Sequence, residues 1–308
     1  MIDVVSRLKV AYLGEGKHFK RIKSSFEKKF ADAVFFNLKN FFLTNEVFDI
    51  ESIDIYVISS PNSLHYEQIK WIRSFSDKPI FCEKPLFSVN NDVNFLKDEK
   101  IYVNHNFRFS SHALEIKKWL KENNSEYFNI NIDISYPIFF DSWFEKSWRS
   151  DVKMMPTGVY ENLLIHYFDF VCYLFGKPEY KSSQTNSIFN SPATFSSIFM
   201  SSKNYNCHMR ASYLDSAKEN IQIQSKTSGI SISMDEVSFT EGFFVKDQNN
   251  LFRPPKEMRK NLLHQDDGLD ASIENFLNLV EYSENLIQDF KEKLNITKLF
   301  FEKDYKYD

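Results

Sequence analysis

The chain has 308 residues, 43% of them hydrophobic and 26% charged, with a formal net charge of −4, a globular composition that excludes a basic nucleic-acid footprint. Three cysteines, Cys82, Cys172 and Cys207, cannot all pair and form no CxxC, which excludes a disulfide framework or zinc knuckle and favours a reducing compartment. Charges at Asp3, Arg7 and Lys9 break the N-terminal stretch, and the longest later apolar run, Phe170 to Phe175, is far below the ~20 residues of a membrane span, so a cytoplasmic protein without a membrane partner is expected.

The length exceeds the roughly 100 to 200 residues of a single domain, so two domains are expected. The first third alternates short apolar runs with amphipathic stretches. "LKVAYLG" reads as a strand, "KHFKRIKSSFEKKF" as a helix and "AVFFNL" as a strand. "IDIYVISSP", "SLHYEQIKWIRSF", "KPIFCEKP" and "KIYVNHNFRF" follow. Strands alternating with helices imply a doubly wound parallel sheet. From about Ser110 the pattern changes. A helix "HALEIKKWLKENN" precedes the alternating run "YFNINIDISYPIFF", and the helix "YENLLIHYFDFVCYLF" is closed by Gly176 with Pro178 beyond it. "TFSSIFMSS", "YNCHMRASYL", "NIQIQSK" and "GISISMDEVSFTE" then read as consecutive strands with short turns, which usually run antiparallel. A closing amphipathic helix, "SIENFLNLVEYSENLIQDFKEKL", completes the second domain. The expected organisation is an α/β, Rossmann-like doubly wound domain over 1–108 and an α+β domain over 109–308 with a mostly antiparallel sheet.

The first strand runs into "YLGEGKHF", where Gly14 and Gly16 match the first two glycines of GxGxxG and Phe19 stands at the third. Such a turn allows a pyrophosphate to approach a helix N-terminus. A mere turn remains the alternative. The second strand ends in Asn37 and Lys39, without the acid that holds the adenosine ribose in NAD enzymes, so NADP stays open. The segment "NFFLTNEVFDIESID" is short for the adenine-side wall. The next strand ends in Ser59, Ser60, Pro61 and Asn62, small and polar residues that suit the rim of a ligand crevice, although Ser60 equally suits a helix cap. In "YENLLIHYFDF", Asn162, His166 and Asp169 are spaced by four and three and share one helical face. A metal reading of Glu161, His166 and Asp169 lacks a convergent ligand set.

"SSPNSLH", "KPIFCEKPL", "VNHNFRF" and "GVYENLLIHYFDFVCYLFG" resemble, in order and spacing, the Gfo/Idh/MocA oxidoreductases, the glucose-fructose oxidoreductase and inositol dehydrogenase family. The resemblance spans nearly the whole chain. It implies a dinucleotide-binding domain over 1–108 with NAD or NADP as cofactor, a domain over 109–308 whose open-faced sheet binds a sugar or nucleotide-sugar substrate and mediates oligomerisation, and a homodimer or homotetramer. It places Gly14, Gly16, Lys17, His18, Asn37, Ser59, Ser60, Pro61, Asn62, His65, Glu83 and Lys84 at the cofactor. Lys84, Asn162 and His166 fall at the substrate; Asn106, Arg108, Trp148, Arg149 and Tyr160 are further candidates there, with a domain brace for Arg108 and core packing for the aromatics as the alternatives. In the catalytic set, Lys84 would hydrogen-bond the reacting oxygen, His166 would move the hydroxyl proton, and Asn162 stands where many members have Asp. The rival expectation is a protein of this fold that binds a sugar or a partner without catalysis, motivated by Phe19, Asn162 and the missing acid. An oligomer is also expected because an open sheet bearing Ile, Phe and Met on one face would otherwise expose an apolar patch.

Overall fold

The structure is a computed structural model that describes residues 7–44, 52–88, 94–96, 99–123, 127–188, 191–233, 236–241, 256–261 and 266–302. The chain divides into a first unit up to Asn106, to which Gly268–Phe301 return, and a second unit running from Phe107 to Asp267.

Five strands build the sheet of the first unit: β1 (Lys9–Leu13), β2 (Val34–Asn37), β3 (Ile55–Ile58), β4 (Ile80–Glu83) and β5 (Ile101–Asn104). They lie in the order β2-β1-β3-β4-β5, all parallel. Strands β3, β4 and β5 are buried at every position, as a parallel sheet covered on both faces demands. The two-residue period of the strands sorts their side chains into two cores. On one face Val10, Ile55, Val57, Phe81 and Tyr102 pack with Phe19, Ile22 and Phe26 of α1 (Lys17–Lys29) and with Ile273 and Phe276 of α6 (Leu269–Val280). On the other, Tyr56, Ile58, Ile80, Cys82 and Val103 pack with Ile69 and Ile72 of α3 (His65–Arg73) and with Phe290 and Leu294 of α7 (Ser283–Phe301).

The closing stretch, assigned from sequence to the second domain as one helix, is therefore two helices that cover opposite faces of the first sheet. Strand order reverses between β1 and β3, so the topological switch point, where open α/β sheets bind ligands, falls between the ends of these two strands. Beyond β2 the described chain forms only the short helix α2 (Lys39–Thr44), and residues 45–51 of the shortened segment lie outside the described residues.

The second unit holds an eight-stranded sheet in the order β13-β12-β11-β10-β6-β9-β8-β7. Its strands are β6 (Phe128–Ser135), β7 (Tyr180–Asn186), β8 (Phe195–Ser202), β9 (Tyr205–Ser212), β10 (Lys218–Gln224), β11 (Ser228–Ser233), β12 (Glu236–Glu241) and β13 (Lys256–Asn261). All pairs are antiparallel except β6 with β9. The run "GISISMDEVSFTE" is two strands rather than one; residues 234–235 between them lie outside the described residues. Strands β7 and β13 were not read from sequence, because "YKSSQTN" and "KEMRKN" carry no apolar alternation. Helix α4 (Ser111–Glu122) opens with a Ser110 cap whose hydroxyl accepts from the Ala113 amide at 3.2 Å, and α5 (Ile165–Phe175) closes on Gly176 with φ 87°.

Alternation in this sheet buries Ile130, Ile132, Ile198, Met200, Met209, Ile221 and Ile223. The intervening residues Asn129, Asn131, His208 and Gln222 are exposed, and Asp133 accepts both Arg210 Nε and Arg210 Nη2 at 3.0 and 2.9 Å. The exposed side of these strands is thus largely polar, with Phe199 as its large apolar exception. The apolar patch expected to drive oligomerisation is buried in the core instead.

Candidate functional site

In the first unit, Gly14 takes φ +108°, and a Cβ there would lie 2.5 Å from the Ser59 carbonyl carbon. Only glycine allows β1 and β3 to end this close together. The Ser59 amide donates to the Leu13 carbonyl at 2.8 Å, which ties the two strand ends across the switch point. Gly16 is different: a Cβ there meets nothing within 4 Å, so the space before α1 is clear. No side chain caps α1, and its first turn holds no acid, while exposed Lys17 and half-buried His18 stand in that turn. Uncapped amides, basic side chains and open space suit an anion such as a pyrophosphate. Phe19, at the position of the third glycine, is 5% exposed and stacks on Tyr12 with ring centroids 3.9 Å apart.

The rim after β3 is more structural than the sequence implied. Ser60 Oγ donates to Gln68 Oε1 at 2.6 Å. His65, expected at the cofactor, is fully buried. Its Nδ1 lies 2.7 Å from the Pro85 carbonyl oxygen and its Nε2 2.9 Å from that of Ser60, so it ties the turn after β3 to the turn after β4. Burial lowers its pKa below the ordinary value, against the opposing pull of the two carbonyls and Glu83. Asn62, just after Pro61, is 5% exposed, and its Nδ2 has no hydrogen-bond partner among the described residues. A buried amide left open at the switch point fits a polar ligand.

Strand β4 ends in Glu83, followed by half-buried Lys84 and a cis Lys84–Pro85 bond. Glu83 Oε1 accepts from Asn104 Nδ2 at 2.6 Å and lies 2.7 Å from His18 Nε2. Burial alone would raise the Glu83 pKa. The His18 charge and contact, the Asn104 amide and the Lys84 charge outweigh it and hold the carboxyl at about 2. His18 moves up in return, drawn chiefly by the Glu83 charge. Asn104 continues the chain inward, since Ser272 Oγ donates to its Oδ1 at 2.7 Å and meets the Tyr102 hydroxyl at 2.9 Å. Asn104 and Ser272 were not read from sequence; "VNHN" offered two asparagines, and the second, Asn106, is the half-buried last residue of the unit.

In the second unit, Gly158 has φ +53°, and its Cβ would lie 2.2 Å from the Ala193 carbonyl oxygen. This close approach launches a π-helical turn, Tyr160–Leu164, which runs directly into α5. π turns interrupt the 3.6-residue period and occur often at functional sites. Asn162 and His166, on either side of the junction, are half-buried. Asn162 Nδ2 donates to the Tyr213 hydroxyl at 2.6 Å, and burial pushes that phenol well above its ordinary pKa, with the Arg149 charge opposing. Arg149 also lies over the Trp148 ring, 4.4 Å from the centroid. Asn162 with Tyr213 and Arg149 with Trp148 are thus two contacting pairs, and the Arg149 charge acts on the Tyr213 phenol. Tyr213 escaped the sequence reading because it follows a strand with no motif around it.

Two expected residues take core positions. Tyr160 is 5% exposed and Arg108 4%. Arg108 Nε and Nη2 each donate to Asp169 at 2.7 Å, and the guanidinium stacks 4.5 Å from the Tyr173 ring centroid. Arg108 is therefore a buried brace within this unit, and Asp169 is its partner. Among the described residues no group of three His, Cys, Asp or Glu side chains is arranged to hold a metal, and no helix is long and apolar enough to cross a membrane.

No family model matches the chain. Among solved structures, levoglucosan dehydrogenase in complex with NADH and levoglucosan superposes with a TM-score of 0.71 at 15% identity, covering 95% of this chain and 96% of that one. The chain has that enzyme's fold. UDP-N-acetylglucosamine 3-dehydrogenase GnnA from Acidithiobacillus ferrooxidans is also similar, with a TM-score of 0.66 at 14% identity over 97% of this chain and 100% of that one. Both likenesses span the parallel sheet and the larger mixed sheet, which supports the two-part α/β and α+β architecture.

Proposed function

We propose that the chain is an NAD(P)-dependent oxidoreductase that moves a hydride between nicotinamide and a carbinol or carbonyl carbon of a sugar or nucleotide sugar. The observation that carries the reading is the switch point of the first sheet. There a glycine with φ +108°, a helix start behind open space, and the buried amide of Asn62, without a partner among the described residues, surround the ends of two adjacent strands. The similar solved structures are a dehydrogenase with bound NADH and a nucleotide-sugar dehydrogenase, which supports the same class.

A bound nicotinamide supplies the hydride chemistry; the chain's own groups bind, orient and move protons. Gly14, Gly16 and the first turn of α1 hold the pyrophosphate. Lys84 presents an ammonium to the reacting oxygen, its backbone fixed by Glu83 on one side and by the Pro85 carbonyl against His65 on the other. His166 takes the hydroxyl proton during oxidation and returns it during reduction, the acid–base role an imidazole serves. Asn162 cannot take a proton. Held by Tyr213, it orients a hydroxyl, and Trp148 and Arg149 line the substrate.

The test is a screen of sugars and nucleotide sugars with each nicotinamide nucleotide, followed by absorbance. Lys84→Ala and His166→Ala are each expected to lower kcat by about 10²- to 10⁴-fold, with nucleotide binding within a few-fold of wild type. Turnover untouched by both substitutions would remove the assignment.

A further inference from the structure

Strand β2 ends without the acid that accepts ribose hydroxyls in NAD enzymes, yet a carboxylate reaches that strand end from elsewhere. Glu15, between the two glycines of the turn, is bound through Oε1 to Asn37 Nδ2 at 2.5 Å. Asn37 is the last residue of β2. Its own Oδ1 accepts from the Lys39 amide at 2.9 Å, which fixes the asparagine as the strand turns away. Lys39 Nζ lies 3.7 Å from Glu15 Oε2, and the Glu15 and Lys39 side chains are 53% and 62% exposed. One carboxylate and one ammonium therefore sit at the end of β2, open to solvent, with charges that sum to zero.

We infer that Glu15 replaces the missing strand-end acid and sets the cofactor choice in favour of NAD over NADP. The inference rests on the nicotinamide-nucleotide reading above and goes beyond it in naming the group that discriminates. A carboxylate accepts hydrogen bonds from the hydroxyls of an unmodified ribose. A 2′-phosphate brings nearly two negative charges, which Glu15 repels and which Lys39, its charge offset by Glu15, does not attract. Asn37 acts as a positioning residue, holding Glu15 where an acid on β2 itself would stand. In Glu15→Gln the amide still reaches Asn37, but the strand end becomes cationic through Lys39.

Dissociation constants for NADH and NADPH, measured at low ionic strength by nicotinamide fluorescence, test this without any substrate. Wild type is expected to bind NADH more tightly. Glu15→Gln should shift the NADH-to-NADPH affinity ratio toward NADPH by about tenfold, the size expected for removing one charge a few ångströms from a phosphate. Adding Lys39→Ala to Glu15→Gln should abolish the NADPH gain. A wild type that prefers NADPH, or a Glu15→Gln ratio equal to wild type while both nucleotides bind, would overturn the inference and leave the dehydrogenase reading standing. Failure of wild type to bind either nucleotide would overturn both.

Discussion

Glu83 connects residue chemistry to pH. Its carboxyl is held at about 2 in the fold against an ordinary 4.5, so the stability it contributes is present above pH 4.5 and is lost as pH falls toward 2. His18, raised above its ordinary 6.5 by the same contact, contributes below pH 6.5 and loses that contribution as pH rises through its raised pKa. The two shifts describe one interaction, whose full effect lies between about pH 4.5 and 6.5. Glu83→Gln is expected to lower unfolding free energy by about 3 kcal/mol in that window, with the deficit shrinking on both sides. Denaturant melts across pH check it; a deficit independent of pH would count against the ion pair. His65→Ala, which removes the tie between the Ser60 and Pro85 carbonyls, is expected to destabilise the fold by about 2–4 kcal/mol, read from the same melts.

At the scale of elements, legibility followed periodicity. Strands β3, β4 and β5 and helices α1 and α3 are readable because continuous apolar runs and i, i+3, i+4 patterns report burial directly. Strand β7 exposes Gln184, Thr185 and Asn186 and β13 exposes Glu257, Met258 and Arg259; both join the sheet through backbone pairing, which leaves no apolar trace in sequence. The stripe of Asn162, His166 and Asp169 was legible as spacing, but its partners were not. Tyr213 and Arg108 reach it from distant positions, and the π turn changes the helical register ahead of His166. Glu15 was hidden for a similar reason, since the expected acid arrives from the glycine turn rather than from β2. The destination of α6 was also illegible, because an amphipathic face does not say which core it joins. Phe276 packs against Phe81 and Tyr102 with centroids 5.4 and 5.5 Å away, so Phe276→Ala is expected to cost about 3–5 kcal/mol, measured by thermal or denaturant unfolding.

For the whole molecule, these contacts make the first unit discontinuous in sequence. Residues 1–106 alone lack α6 and α7 and leave both faces of the parallel sheet partly uncovered. That fragment is expected to remain unfolded by circular dichroism, whereas the same fragment joined through a short flexible linker to 268–301 is expected to fold cooperatively. The function proposed for this unit is to hold a nicotinamide nucleotide at its switch point. Titration of the full chain with NADH and NADPH, followed by nicotinamide fluorescence, tests it most directly. Saturable binding of at least one nucleotide at micromolar concentration is the predicted result; no binding of either up to millimolar would contradict the account and leave a dehydrogenase fold without its cofactor.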